Sequence, residues 1–283
     1  MELVNLLENV LWFRLVGLFI LGLCIGSFLN VVIYRLPLIL AIKWKNQAQE
    51  ILEIADATPV ATISLSFPAS HCPKCKQSIP WWTNIPLIGY LILMGRCCAC
   101  NCKISARYPI VELISALLFS AVGFVYTDIW QIMFACIFIA VLIALMGIDL
   151  DTFLLPDELT LPLVWIGLLV NLNGMFSSSL ESSLFGAVIG YMSLWSIYWI
   201  FKLITGKDGM GYGDFKLLAA IGAWLGWQCL VNVLLFSSCL GIVYALTLKM
   251  LGKLDSGKAI PFGPFLGGGA LVSLLLANFI KIL

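Results

Sequence analysis

Three runs without a single charged residue, 15–34, 129–148 and 182–201, are each 20 residues long. That is about what an α-helix needs to cross the hydrocarbon core of a bilayer. Backbone polar groups in lipid must be satisfied internally, so helices are the expected spanning units. A fourth uncharged stretch, 217–248, has 32 residues. It is too long for one span and reads as two, with a break near Gly226, Trp227 and Gln228. Further spans at 108–127, 159–176 and 264–280 bring the expectation to about eight. The composition agrees, at 61% hydrophobic and 11% charged residues, with a mean hydropathy of +1.04. The expected fold is an all-α polytopic membrane protein.

The charges that remain are unevenly placed. Of 16 basic residues, 14 fall in 35–107, 202–216 and 249–263, the alternate loops of such a bundle. By the positive-inside rule these loops are cytoplasmic and both termini lie outside. The first span is too long for a signal-peptide core and lacks a small-residue cleavage site, so it is expected to remain as an anchor. A net charge of +1 offers no case for a nucleic-acid partner.

Residues 36–107 form the one long insertion that water could solvate. Cys72 and Cys75 make one CxxC, and Cys97 and Cys100 a second. Two such turns fit a tetrahedral zinc site, each offering two thiolates to one ion. A pair of disulfides, or unpaired cysteines, is the plainer alternative, but a reducing cytoplasm disfavours disulfides. Cys98 and Cys102 are additional thiols beside the second pair, able to act as ligands or to be mere neighbours, and His71 reads as a bystander. Cys24, Cys136, Cys229 and Cys239 lie in apolar spans, where a thiol packs as a small hydrophobe. The segment 81–95, WWTNIPLIGYLILMG, fits either the membrane surface or the core of the zinc module.

Two carboxylates end uncharged runs on the same expected side. Asp149 closes 129–148, and Asp214 follows Gly211 and Gly213 just ahead of 217–248. Ionisable groups at such positions are costly and point to function, although a carboxylate at a span's mouth can also face water or cap a helix. Asp157 reads as an N-cap, and Asp151 and Asp208 as solvated. Two carboxylates within hydrogen-bonding reach share a proton, so one can activate water while the other polarises a peptide carbonyl. That is aspartyl-protease chemistry, and the pair titrates as a unit. Gly211 and Gly213 are expected to allow unusual backbone angles and the close approach of an extended peptide.

Taken together, GSFLNVVIYRLP (26–37), the two CxxC pairs, ISARYPIVE (104–112), IDLDTFLLPDELTLP (148–162) and GYGDFKLLAAIGAWLG (211–226) resemble the type IV prepilin peptidase family. These are membrane aspartyl proteases of the GxGD class. The resemblance implies a bifunctional enzyme of the bacterial inner membrane. It would remove the leader of type IV prepilins or type II secretion pseudopilins, then methylate the new amino terminus with S-adenosylmethionine. It assigns Asp149 and Asp214 to the protease dyad and Cys72, Cys75, Cys97 and Cys100 to zinc. Cys98 and Cys102 depart from the family's pattern.

The expected organisation is a first transmembrane helix at 1–35, a cytoplasmic zinc-binding loop associated with methyl transfer at 36–107, and a peptidase helix bundle at 108–283. No glycine-rich nucleotide loop is present for the methyl donor. Glu112, preceded by Arg107, is a candidate contact for its amino group, with a salt-bridge or interfacial role as the alternative. A proton-coupled transporter with a regulatory zinc module, or a non-enzymatic scaffold, are the competing classes. Against the transporter, the sequence shows no internal repeat or paired broken spans.

Overall fold

The computed structural model describes residues 8–53, 63–72, 74–176, 179–252 and 260–282, without the side chains of Trp81 and 277–282. Lys253 and Lys258, counted above for orientation, lie outside the described residues. Nine helices of five or more residues follow one another among the described residues, and no strand forms there. They are α1 (Leu11–Ile51), α2 (Ile88–Ile92), α3 (Arg107–Val125), α4 (Ile129–Thr152), α5 (Asp157–Val170), α6 (Leu180–Thr205), α7 (Tyr212–Leu225), α8 (Trp227–Met250) and α9 (Gly263–Ile282). Eight of them stand where spans are expected. Five, namely α1, α3, α4, α6 and α8, are long and apolar enough to cross a membrane. α5 and α7, with 14 residues each, are shorter than the bilayer requires.

The break in the long uncharged stretch falls at Gly226, whose φ of 81° turns the chain between α7 and α8. That left-handed angle suits glycine. The first helix departs from expectation. α1 runs 41 residues through Arg35 and Pro37 to Ile51, about 60 Å at 1.5 Å per residue, so it continues well past the span 15–34.

The chain forms two compact units, Met1–Gly123 and Phe124–Leu283. α3, expected with the C-terminal bundle, therefore belongs almost wholly to the first unit. The reason is a small-residue crossing. Gly22 and Gly26, four apart on α1, face the backbone of Ala116 and Glu112, and an added Cβ would come within 2.6 and 2.7 Å of their Cα atoms. Helices in lipid gain from such close approach, because apolar contact alone does not distinguish a neighbour from lipid. Asn30 then donates to the Tyr108 carbonyl at 3.1 Å. Buried Arg35 donates to the carbonyls of Ser64, Leu65 and Pro68, tying down the segment after α1. In α2 and its flank, Ile88, Leu91, Ile92 and Met94 remain exposed. That exposure favours the membrane-surface reading of 81–95 over burial in a module core.

In the second unit α4 and α7 are the most enclosed helices, while α6 and α8 are largely exposed. Trp224 of α7 is fully buried, stacks on Phe138 at 4.7 Å and donates its indole N–H to the Leu163 carbonyl at 2.8 Å. α6 and α7 meet backbone to backbone, at Gly186 against Gly222 and at Gly190 against Leu218. Buried Asn171 donates to the Ala223 and Trp224 carbonyls at 3.0 and 2.8 Å, securing the last turn of α7. This packing fixes the helix that carries Asp214.

Candidate functional site

In the first unit, the two cysteine turns have the same backbone design. The amide of Cys72 donates to the Gln77 carbonyl and that of Cys97 to Cys102, each at 2.9 Å. Their sulfurs converge. Cys72, Cys97, Cys100 and Cys102 all lie within 4.8 Å of one another. Cys75 lies 4.0 Å from Cys97 and stands outside that mutual set. Cys98 is exposed. His71 Nδ1 lies 3.0 Å from the Ala69 carbonyl, and His71 is not among the four residues of the mutual set.

Backbone amides of Cys75 and Lys74 pull the Cys72 thiol down to about 6, and those of Cys100 and Ala99 lower Cys97. Cys102 is pushed up to about 12 by the thiols of Cys100 and Cys72 beside it. Thiolates this close repel one another unless a cation lies among them. The cluster is thus able to hold a soft metal ion, which thiolate donors select.

In the second unit, Asp149 occupies the last turn of α4 and Asp214 the first turn of α7. Both are buried, at 5% and 7% exposure, although carboxylates rarely are without partners. They lie close enough for the charge of Asp149 to act on Asp214. The Asp149 carboxylate accepts a 2.9 Å hydrogen bond from the backbone of Gly263, while the Asp214 amide donates to the Gly211 carbonyl at 3.2 Å. Leu155 packs between the two glycine segments. An added Cβ at Gly213 would lie 2.7 Å from the Leu155 Cβ, and one at Gly263 would lie 3.3 Å from its Cδ2.

The unusual backbone angles expected of the two glycines are absent. Gly211 is extended, with φ −81°, and neither it nor Gly213 has a left-handed angle. Gly213 is needed for space against Leu155. Around Gly211 the room is open, the nearest atom to an added Cβ being Asp214 Oδ2 at 3.9 Å.

Of the neighbouring carboxylates, Asp157 differs from expectation, while Asp208 is exposed as expected. Asp157 is not the N-cap of α5, a position held by Pro156; its carboxylate pairs with Lys216 at 2.7 Å. Asp208 accepts from the Tyr198 hydroxyl at 2.6 Å and pairs with Lys202 at 2.9 Å. The hydroxyl and the ammonium hold the Asp208 carboxyl below its ordinary range. Asp151 is exposed and has an interaction partner. Glu112 is buried in the first unit, where its carboxylate accepts from the Leu87 amide at 2.8 Å. Leu87 sits at φ 59°, so Glu112 anchors a turn that leucine rarely adopts.

Sequence reasoning missed Gly263 and Leu155. Leu155 carries no chemical signal of its own. Gly263 lies in PFGPF, and a glycine flanked by prolines at the mouth of a span was a readable sign of a special backbone position.

Comparison with known proteins bears on both units. The Bacterial Peptidase A24 N-terminal domain matches residues 20–126, and the Type IV leader peptidase family matches 136–246. A "Prepilin leader peptidase/N-methyltransferase" of Stutzerimonas stutzeri is 49% identical, covering 95% of this chain and 93% of its own. Proteins of the same name from Aeromonas salmonicida and Pectobacterium carotovorum subsp. carotovorum are 47% and 46% identical. They cover 98% and 95% of this chain and 96% and 94% of their own. No solved structure matches. These relatives give the transporter alternative no support. At that identity over nearly the whole length, and with the motifs of both units in place, the chain belongs to the type IV leader peptidase family.

Proposed function

We propose that this chain cleaves the leader from type IV prepilins or type II secretion pseudopilins and then methylates the exposed amino terminus. The observation that carries the hydrolytic half is the pair of buried carboxylates, Asp149 and Asp214, within charge reach of each other at the ends of α4 and α7. Two such groups, if brought within hydrogen-bonding reach as a substrate binds, share one proton. In the cleavage step the ionised member takes a proton from water while the protonated member donates to the scissile carbonyl oxygen. The Gly263 amide orients the Asp149 carboxylate for this work. Gly211 leaves open space beside Asp214 into which a peptide backbone can come.

Methyl transfer needs a donor and an aligned amine. S-adenosylmethionine, when bound, supplies the activated methyl group. Glu112 serves that half of the enzyme as a positioning residue, through the Leu87 turn that it anchors. Zinc bound by the cysteine cluster orders the loop around it, as a small module with little core requires.

The charge bias supports an inner-membrane orientation with termini outside and with the zinc module and both aspartates at the cytoplasmic face. A cysteine placed at Ser78 should then react only with membrane-permeant reagents in intact cells. Reaction with an impermeant reagent from the periplasm would reverse this orientation.

The functional test is incubation of the purified chain, in detergent, with a full-length prepilin and S-adenosylmethionine. Mass spectrometry should find a shortened product bearing one added methyl group at its amino terminus. An unshortened prepilin would sink the peptidase reading, and a shortened but unmethylated one would sink the second half.

A further inference from the structure

The thiol cluster contains one sulfur more than a tetrahedral ion can use. Resting on the reading that this module holds zinc, we propose that Cys75 and Cys102 are interchangeable fourth ligands. Cys72, Cys97 and Cys100 serve in both arrangements.

Two observations point to different fourth ligands. The first is the matching geometry of the two cysteine turns. The bridge between His71 and Ser78 has its counterpart between Arg96 and Lys103, 25 residues on. Lys76 and Asn101 occupy equivalent left-handed positions, at φ 61° and 53°. Their amides donate to the carbonyls of Cys72 and Cys97, at 2.9 and 3.0 Å. In this register Cys75 matches Cys100, while Cys102 stands where the first turn has Gln77. Symmetry therefore selects Cys75.

The second is the placement of the sulfurs. Cys102 Sγ lies 3.5 Å from Cys72 Sγ, closer than Cys100 Sγ at 3.8 Å. Cys102 also completes the group whose members all lie within 4.8 Å of one another. Cys75 Sγ is 4.0 Å from Cys97 Sγ. With a zinc–sulfur bond of about 2.3 Å, the edge of a regular tetrahedron is about 3.8 Å. Separations of 3.5, 3.8 and 4.0 Å all sit near that edge. Proximity therefore selects Cys102. Zinc has no geometric preference of its own to choose between them. Exposure adds a direction to the exchange, because Cys75 is exposed while Cys102 is half-buried. The thiol more open to solvent has a shielded substitute.

The test uses the full chain in detergent, with metal content by elemental analysis and the absorption spectrum of the cobalt-substituted protein. The wild type should carry about one zinc and show the charge-transfer band of an all-thiolate tetrahedral site. Cys75→Ser and Cys102→Ser should each keep that zinc and that band. The Cys75→Ser/Cys102→Ser double variant should lose about a quarter of the band, as one of four thiolates is replaced, and bind zinc at least ~10-fold more weakly. If either single variant shows the reduced band, the ligands are not interchangeable and the residue removed is the sole fourth ligand. A wild type without zinc would instead overturn the zinc reading and the exchange together. An unreduced band in the double variant would exclude both residues as ligands, and a Cys75→Ala/Cys102→Ala double variant repeats this arm if the serine pair does not fold.

Discussion

Gly263 gives its backbone N–H to the carboxylate of Asp149 at 2.9 Å, across 114 residues of sequence. A Cβ at Gly263 would come within 2.6 Å of that carboxylate oxygen, so no side chain fits without displacing it. Gly263→Ala should therefore lower leader cleavage by about 100-fold, the scale of an ångström's misplacement of a reacting group. Thermal stability in detergent should change little. Full activity in this variant would show that Asp149 does not need its present position.

Loss of either carboxylate removes the division between proton donor and proton acceptor. Asp149→Asn and Asp214→Asn should each abolish leader removal, measured by electrophoresis of the prepilin. Asp151→Asn should retain most activity. So should Asp157→Asn and Asp208→Asn, because their pairs with Lys216 and Lys202 are exposed and such pairs contribute at most about 1 kcal/mol. An inactive Asp151→Asn beside an active Asp149→Asn would move the dyad by two residues.

Methyl transfer should survive loss of the dyad, because it needs alignment of an amine with an activated methyl rather than proton handling at a carbonyl. Asp149→Asn protein, given a pilin peptide that already ends in a free amine, should still methylate it from S-adenosylmethionine. Mass spectrometry of the product terminus reads the result. A well-folded variant that cannot do so would point to one shared site.

Where Gly186 faces Gly222, an added Cβ would collide with the Gly222 carbonyl. Gly186→Ala should destabilise the second unit by about 1–3 kcal/mol through overpacking. Thermal unfolding in detergent, followed by circular dichroism, checks it. An unchanged midpoint would mean that α6 and α7 separate at little cost.

Both aspartates were legible in the sequence because a lone charge at the edge of an uncharged run is conspicuous in a membrane protein. The cysteine turns were legible from spacing alone. The role of Gly263 was not, since it acts through a backbone amide that every residue but proline possesses. The length of α1 was hidden for another reason. A span is read as ending at its charges, whereas α1 continues past Arg35 to Ile51. Gly22 with Gly26, and Gly186 with Gly190, show that helix pairing was written in plain four-residue spacings. What spacing does not tell is which partner each pair meets.

The contact of α6 with α7 differs in kind from the one beside Asp214. At Gly186 and Gly222 main chain meets main chain, so nothing there can yield without the helices themselves moving. At Gly213 the neighbour is the side chain of Leu155, which can turn about its own bonds. Under the proposed function, the size of Leu155 should therefore influence which residues a leader can present beside Asp214.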